Sequence, residues 1–229
     1  MSRRNKLIKF AEVATSPHVY ENFDINDVAL ICCGEELQMA GKWDEHHFRN
    51  QRPITLELAC GKGEYTVGLS QQFPDRNFIG VDIKGARIWR GARRIKELGL
   101  TNAAFLRTRI ERLAGFFASN EVSEIWIVFP DPFPRESKAN RRLTAQNFLE
   151  IYRRILAPGG IVHLKTDDEM LYQFTLDVIA ADNRCTLFYA DDDIYAKPLP
   201  YRELEIKTFY EVQHLAASKR IKYARFTLQ

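Results

Sequence analysis

From Pro53 onward, short apolar runs alternate with longer segments of helical periodicity, and nothing else in the chain restricts its fold as strongly. Residues 54–59, 77–82, 103–106, 125–129, 161–165 and 186–189 read as strands. Residues 64–73, 85–98, 144–156 and 169–180 read as helices; in the second, Ile88, Ala92 and Ile95 fall on one face. The Pro158-Gly159-Gly160 run is expected to stop the third. Strands alternating with helices of roughly 10–15 residues mark βαβ units and a parallel sheet. The run IWIVF at 125–129 is apolar throughout, as strands covered on both faces are. Right-handed crossovers then place helices on both faces of an α/β domain. Ligands of such sheets bind beyond the carboxyl ends of the strands. Gly61, Asp82, Asp131 and Asp167 all fall at or just past a predicted strand end.

The loop after the fourth of these strands reads Pro130-Asp131-Pro132-Phe133-Pro134-Arg135. Three prolines in five residues remove backbone donors and fix φ, so one carboxylate is presented on a stiff support. The first strand enters Glu57-Leu58-Ala59-Cys60-Gly61-Lys62-Gly63. A nicotinamide fingerprint needs a third glycine, but Thr66 stands there. Carboxylates at Glu57 and Glu64 disfavour a pyrophosphate, and no P-loop is present. An acidic strand end, a G-x-G turn and Asp82 one βαβ step later suit S-adenosyl-L-methionine: carboxylates meet its ammonium and sulfonium, and Asp82 its ribose hydroxyls. Lys84, Arg87, Arg90 and Arg94 form a basic stripe, and Arg135, Lys138, Arg141 and Arg142 follow the proline loop. The second cluster points to a polyanion, although the net charge is only +3.

With 229 residues, 45% hydrophobic and 28% charged, the chain reads as one soluble domain. It has no apolar run of transmembrane length, so no membrane association is expected. The segment from Met1 to Lys9 carries Arg3, Arg4, Lys6 and Lys9 and reads as a mobile basic arm rather than a signal peptide. Residues 1–40 are taken as this arm and an extension, and 41–229 as the main domain. Cys32, Cys33, Cys60 and Cys185 form no CxxC pair, and the five histidines form no ligand pattern, so no metal is expected. A reducing cytoplasm fits this cysteine usage.

Taken in order, ELACGKG, FIGVD, FPDPFPRE, NRRLT, APGG, HLKTD and TFYE resemble the bacterial tRNA (guanine-N7-)-methyltransferases, from about Lys42 to the C-terminus. The resemblance implies a Rossmann-like class I methyltransferase fold with a mostly parallel, seven-stranded sheet. It implies methyl transfer from S-adenosyl-L-methionine to N7 of a guanine in the tRNA variable loop. Glu57, Gly61, Gly63, Asp82 and Asp131 then fall to cofactor binding, and Asp131 to catalysis. Arg135, Asp167 and the segment Thr208, Phe209, Tyr210 and Glu211 fall to substrate. Phe133 stands where the family has tryptophan, and Arg135 where it has lysine. Arg109 falls where the family often has an acid near the adenine, and is left out of the site. Which of Asp131, Asp167 and Glu211 reads the guanine stays open, as does monomer against homodimer. Two other functions fit the same residues: methylation of another RNA base or a small molecule, and a non-catalytic RNA-binding module.

Overall fold

The computed structural model describes residues 3–22, 24 and 26–229. The chain opens with α1 (Arg3–Ala14) and three short strands, β1 (Val19–Glu21), β2 (Leu30–Cys32) and β3 (Glu35–Leu37). A π-helical turn at Asp44–Phe48 leads to β4 (Ile54–Leu58), α2 (Glu64–Gln72), β5 (Asn77–Asp82), α3 (Gly85–Leu98) and β6 (Ala103–Arg107). A 3-10 turn and β7 (Val122–Val128) follow. After a second 3-10 turn come α4 (Gln146–Ile155), β8 (Leu156–Thr166), α5 (Glu169–Ala181), β9 (Cys185–Asp191), α6 (Phe209–Ala216) and β10 (Lys222–Leu228).

Among the described residues, one sheet takes all ten strands in the order β3-β2-β1-β6-β5-β4-β7-β8-β10-β9. The run from β1 through β6, β5, β4 and β7 to β8 is parallel, while β10 lies antiparallel between β8 and β9. The seven strands from β6 to β9 match the expected sheet, and β1–β3 extend it to ten. These three-residue strands are too short to show a two-residue periodicity, and so escape a reading based on pattern.

The N-terminal segment is likewise corrected. Residues 3–9, expected within a mobile arm, belong to α1 (Arg3–Ala14), which packs on α3. Lys9 Nζ lies 4.5 Å from the centre of the Trp89 ring, and the Trp89 indole N–H donates to Glu12 at 2.5 Å. Met1, Ser2 and the side chains of Arg3, Arg4 and Lys6 lie outside the described residues. The third predicted helix, α4, ends at Ile155 directly before residues 157–160, but those residues bulge within β8, which begins at Leu156 and not at 161: Val122 pairs with Leu156 and Glu124 with Ile161.

Alternate strand residues feed opposite faces, which is why the central strands are apolar throughout. On β7, Ile125 and Ile127 join a core with Phe148, Leu149 and Tyr152 of α4 and Leu171 of α5. Trp126 and Val128 face the other way, toward Tyr65 and Leu69 of α2. On β6, Phe105 packs with Val67, Ile88 and Ala92 of α2 and α3. The strand order reverses between β4 and β7, so their carboxyl ends diverge at a topological switch point.

Candidate active site

The chain leaves β4 at this switch point through Ala59 and Gly61, and leaves β7 through Phe129 and the proline loop. Between them opens a cleft of about 640 Å³. Ala59, Asp82, Thr108, Glu111, Asp131 and Phe133 line it. Three residues of its wall, Ala59, Phe129 and Phe133, hold φ of 57°, 48° and 45°. This left-handed backbone costs a non-glycine residue on the order of 1 kcal/mol and is retained where surrounding structure imposes it.

Asp82 ends β5 with its carboxylate tied into the glycine turn. Oδ2 accepts the Gly61 N–H at 2.9 Å and Oδ1 the Lys84 N–H at 2.7 Å. Each carboxylate oxygen keeps a further lone pair for a ligand hydroxyl. Gly63 starts α2 with φ of 70°, and a Cβ there would lie 2.3 Å from the Phe105 ring. Glycine is thus required by both backbone and packing. Asp131 is exposed on the cleft, and no hydrogen bond or ion pair engages its carboxylate among the described residues.

Glu57 sits behind the glycine turn instead of on the cleft. Its side chain is buried and accepts both the Thr66 N–H, at 2.7 Å, and the Thr66 hydroxyl. Burial raises its carboxyl from the ordinary 4.5 to about 8, against the pull of these hydrogen bonds.

The remaining acids predicted from sequence gather on a flank beside the cleft. Asp167 follows β8 and pairs with Lys219 at 2.6 Å and His214 at 3.5 Å. His214 packs on the Phe129 ring at 5.7 Å, which links this flank to the cleft wall. Thr208 caps α6 by accepting the Glu211 N–H at 3.2 Å. The Phe209 N–H donates to Glu64 at 2.7 Å, and Lys62 Nζ lies 4.8 Å from the Phe209 ring and 5.5 Å from that of Tyr210. The glycine turn and the start of α6 are therefore joined, with Phe209 and Tyr210 half exposed. Glu211 is fully buried: its carboxylate meets Lys165 Nζ at 2.8 Å and accepts the Tyr195 hydroxyl at 2.6 Å. Its place is the interior anchor of α6. Burial lowers the Lys165 ammonium while Glu211 raises it.

Cations surround the opening. Lys84, Arg87, Arg109 and Arg141 line the cleft, and Arg135 and Lys138 are exposed beside it. None of these six has an ion-pair partner among the described residues. Arg142, grouped with them by sequence, is 2% exposed and turned inward. Arg109, left out of the predicted site, belongs to the cleft, and so do Glu111, Asn140 and Asn147. Their signal was positional: Arg109 and Glu111 follow the carboxyl end of β6 on the same rim.

A family model described as a putative methyltransferase matches residues 51–224. A tRNA (guanine-N(7)-)-methyltransferase of Bacteroides thetaiotaomicron is 47% identical over 225 residues, 98% of this chain and 86% of that protein. The chain belongs to the tRNA (guanine-N(7)-)-methyltransferase family. A second family member, from Christiangramia forsetii, is 44% identical over 232 residues and aligns with the whole of both chains. The tRNA (guanine-N(7)-)-methyltransferase relatives thus extend over α1 and β1–β3, which lie before the family model. Among solved structures, the 16S rRNA methyltransferase KamB superposes with a TM-score of 0.61 at 14% identity, covering 85% of this chain and 96% of its own. Geranyl diphosphate C-methyltransferase from Streptomyces coelicolor, solved with S-adenosyl-L-homocysteine, gives 0.51 at 18% identity, covering 77% and 69%. At such identities these likenesses establish the class I methyltransferase fold of this family member and nothing finer.

Proposed function

We propose that this chain methylates N7 of a guanine in the variable loop of tRNA, with S-adenosyl-L-methionine as donor. The observation that carries the reading is the shared cleft, which Asp82 and Asp131 both line together with unpaired cations. The names of the relatives support the reaction, and the Streptomyces neighbour's complex supports the cofactor class.

The donor supplies an electrophilic methyl group on a sulfonium. Asp82 would hold its ribose hydroxyls with the lone pairs that Gly61 and Lys84 leave free. The glycine turn lets backbone approach closely, and Asp131 stands opposite. Guanine N7 carries an in-plane lone pair and no proton, so the attack needs no general base. The work left to the protein is placement and electrostatics. A fixed, unpaired Asp131 carboxylate accepts hydrogen bonds from the guanine N–H edge and offsets the charge that grows on the purine. Asp167, two rings away through His214 and Phe129, is the second acid within the same region. The cations on the rim suit a phosphate backbone better than a small neutral substrate.

Incubating the protein with transcribed tRNA and labelled S-adenosyl-L-methionine, then mapping N7-methylguanine by base-specific strand cleavage, tests the reading. Label at one variable-loop guanine is the expected result. Label on an exocyclic amine, or none, overturns it.

A further inference from the structure

Arg142 lies in a run of basic residues but does not face a partner. Its guanidinium is 2% exposed. Nε and Nη2 both donate to the Phe133 carbonyl, at 3.3 and 3.2 Å. Its flat face lies 4.4 Å from the centre of the Phe174 ring on α5. Nη2 also reaches Glu136 at 3.5 Å, but Glu136 is 88% exposed and that pair is screened by solvent.

The loop that Arg142 grips has few other hydrogen bonds to hold it. Pro130, Pro132 and Pro134 have no N–H, and among the described residues no backbone hydrogen bond joins one residue of 130–134 to another. The Phe129 N–H donates to the Lys165 carbonyl at 2.8 Å just before it, and Lys138 N–H donates to the Arg135 carbonyl just after it. Between these, among the described residues, the hydrogen bonds reaching residues 130–134 come from Arg142. Phe133 is also one of the strained positions, with φ of 45°. Proline stiffens each link but does not place the loop. Placement comes from an arginine fork that is braced from behind by an aromatic ring, a role a lysine cannot copy.

We propose that Arg142 is a positioning residue: it fixes the proline loop so that Asp131 stands at the methyl-transfer point, and it makes no contact with tRNA. The inference rests on the reading of Asp131 given above. It separates Arg142 from its neighbour Arg141, which lines the cleft and is unpaired.

The test compares R142K, R142Q and R141Q with the parent protein. Single-turnover methyl transfer, tRNA affinity across a salt series, and amide exchange of the 129–135 segment in the absence of ligands are measured for each. R142K, which keeps the charge and the stem, guards against a glutamine variant that does not fold. Both Arg142 variants are expected to slow transfer by on the order of ten- to a hundred-fold, as a misplacement near 1 Å does. Their tRNA affinity should stay within about two-fold of the parent, with the salt slope unchanged, and the loop amides should exchange faster. R141Q is expected to do the reverse, weakening tRNA binding and lowering the slope by about one. Parent-like transfer in R142K, or a lower salt slope in either Arg142 variant, overturns the proposal. A parent protein that transfers no methyl to tRNA overturns the functional reading, while the exchange measurement still decides whether Arg142 holds the loop.

Discussion

Asp131 and Glu57 are both acids beside strand ends, yet they occupy opposite environments. Asp131 is exposed, unpaired and backed by prolines, so its removal leaves no buried group stranded. D131A is therefore expected to keep the parent unfolding midpoint while losing methyl transfer by on the order of a hundred-fold. Turnover near the parent rate would take Asp131 out of the mechanism. Glu57 is buried and its carboxyl is raised from 4.5 to about 8. The folded state thus holds a proton that the unfolded chain releases, so stability falls as pH rises from about 4.5 to about 8. E57Q keeps the shape, including the acceptor for Thr66, but cannot ionise. Denaturant unfolding across that window should show the parent losing stability relative to E57Q as pH rises. A difference that stays constant with pH would mean that Glu57 is ionised in the fold.

At the scale of elements, the entry to α2 is the most constrained joint. Gly63 combines φ of 70° with a Phe105 ring 2.3 Å from any added Cβ, and that ring is fully buried. Gly99, at the end of α3, has φ of 63° but open space around it. G99A is expected to cost about 1 kcal/mol from backbone strain alone. G63A adds overpacking and is expected to cost about 2–4 kcal/mol, read as a shift in urea midpoint at constant slope. Equal costs would show that the Phe105 ring yields. The elements also show where pattern reading succeeds. The strands β4 to β8 lie in runs long enough to show their apolar character, and each candidate position on the rim follows one of them. β1–β3 have three residues each and α1 begins in a cationic run, so neither carries a period strong enough to read.

For the whole molecule, the net charge of +3 says little, because the cations that matter are those left unpaired around one opening. Elsewhere arginines are consumed internally: Arg153 meets Asp182 at 2.8 Å, and Arg76 meets Glu124 and Glu203 at 3.1 and 3.2 Å. Replacing Arg135, Lys138 and Arg141 together by glutamine should lower the slope of log affinity for tRNA against log salt by roughly two to three, with the affinity for S-adenosyl-L-homocysteine unchanged. A parallel loss of both affinities would mean that the rim supports the cleft instead of seating RNA.

The sequence by itself determined the alternation of strands and helices, the rim on which the acids fall, and the family. These follow from local periodicity and from residues adjacent in the chain, such as the three prolines around Asp131. Tertiary structure alone decided which charged groups line the cleft. Glu57, Glu211 and Arg142 carry the same formal charges as Asp82, Asp131 and Arg141, but each is turned into the interior by a partner far along the chain or on another element. Burial and pairing depend on what folds against a side chain, and no local pattern encodes that.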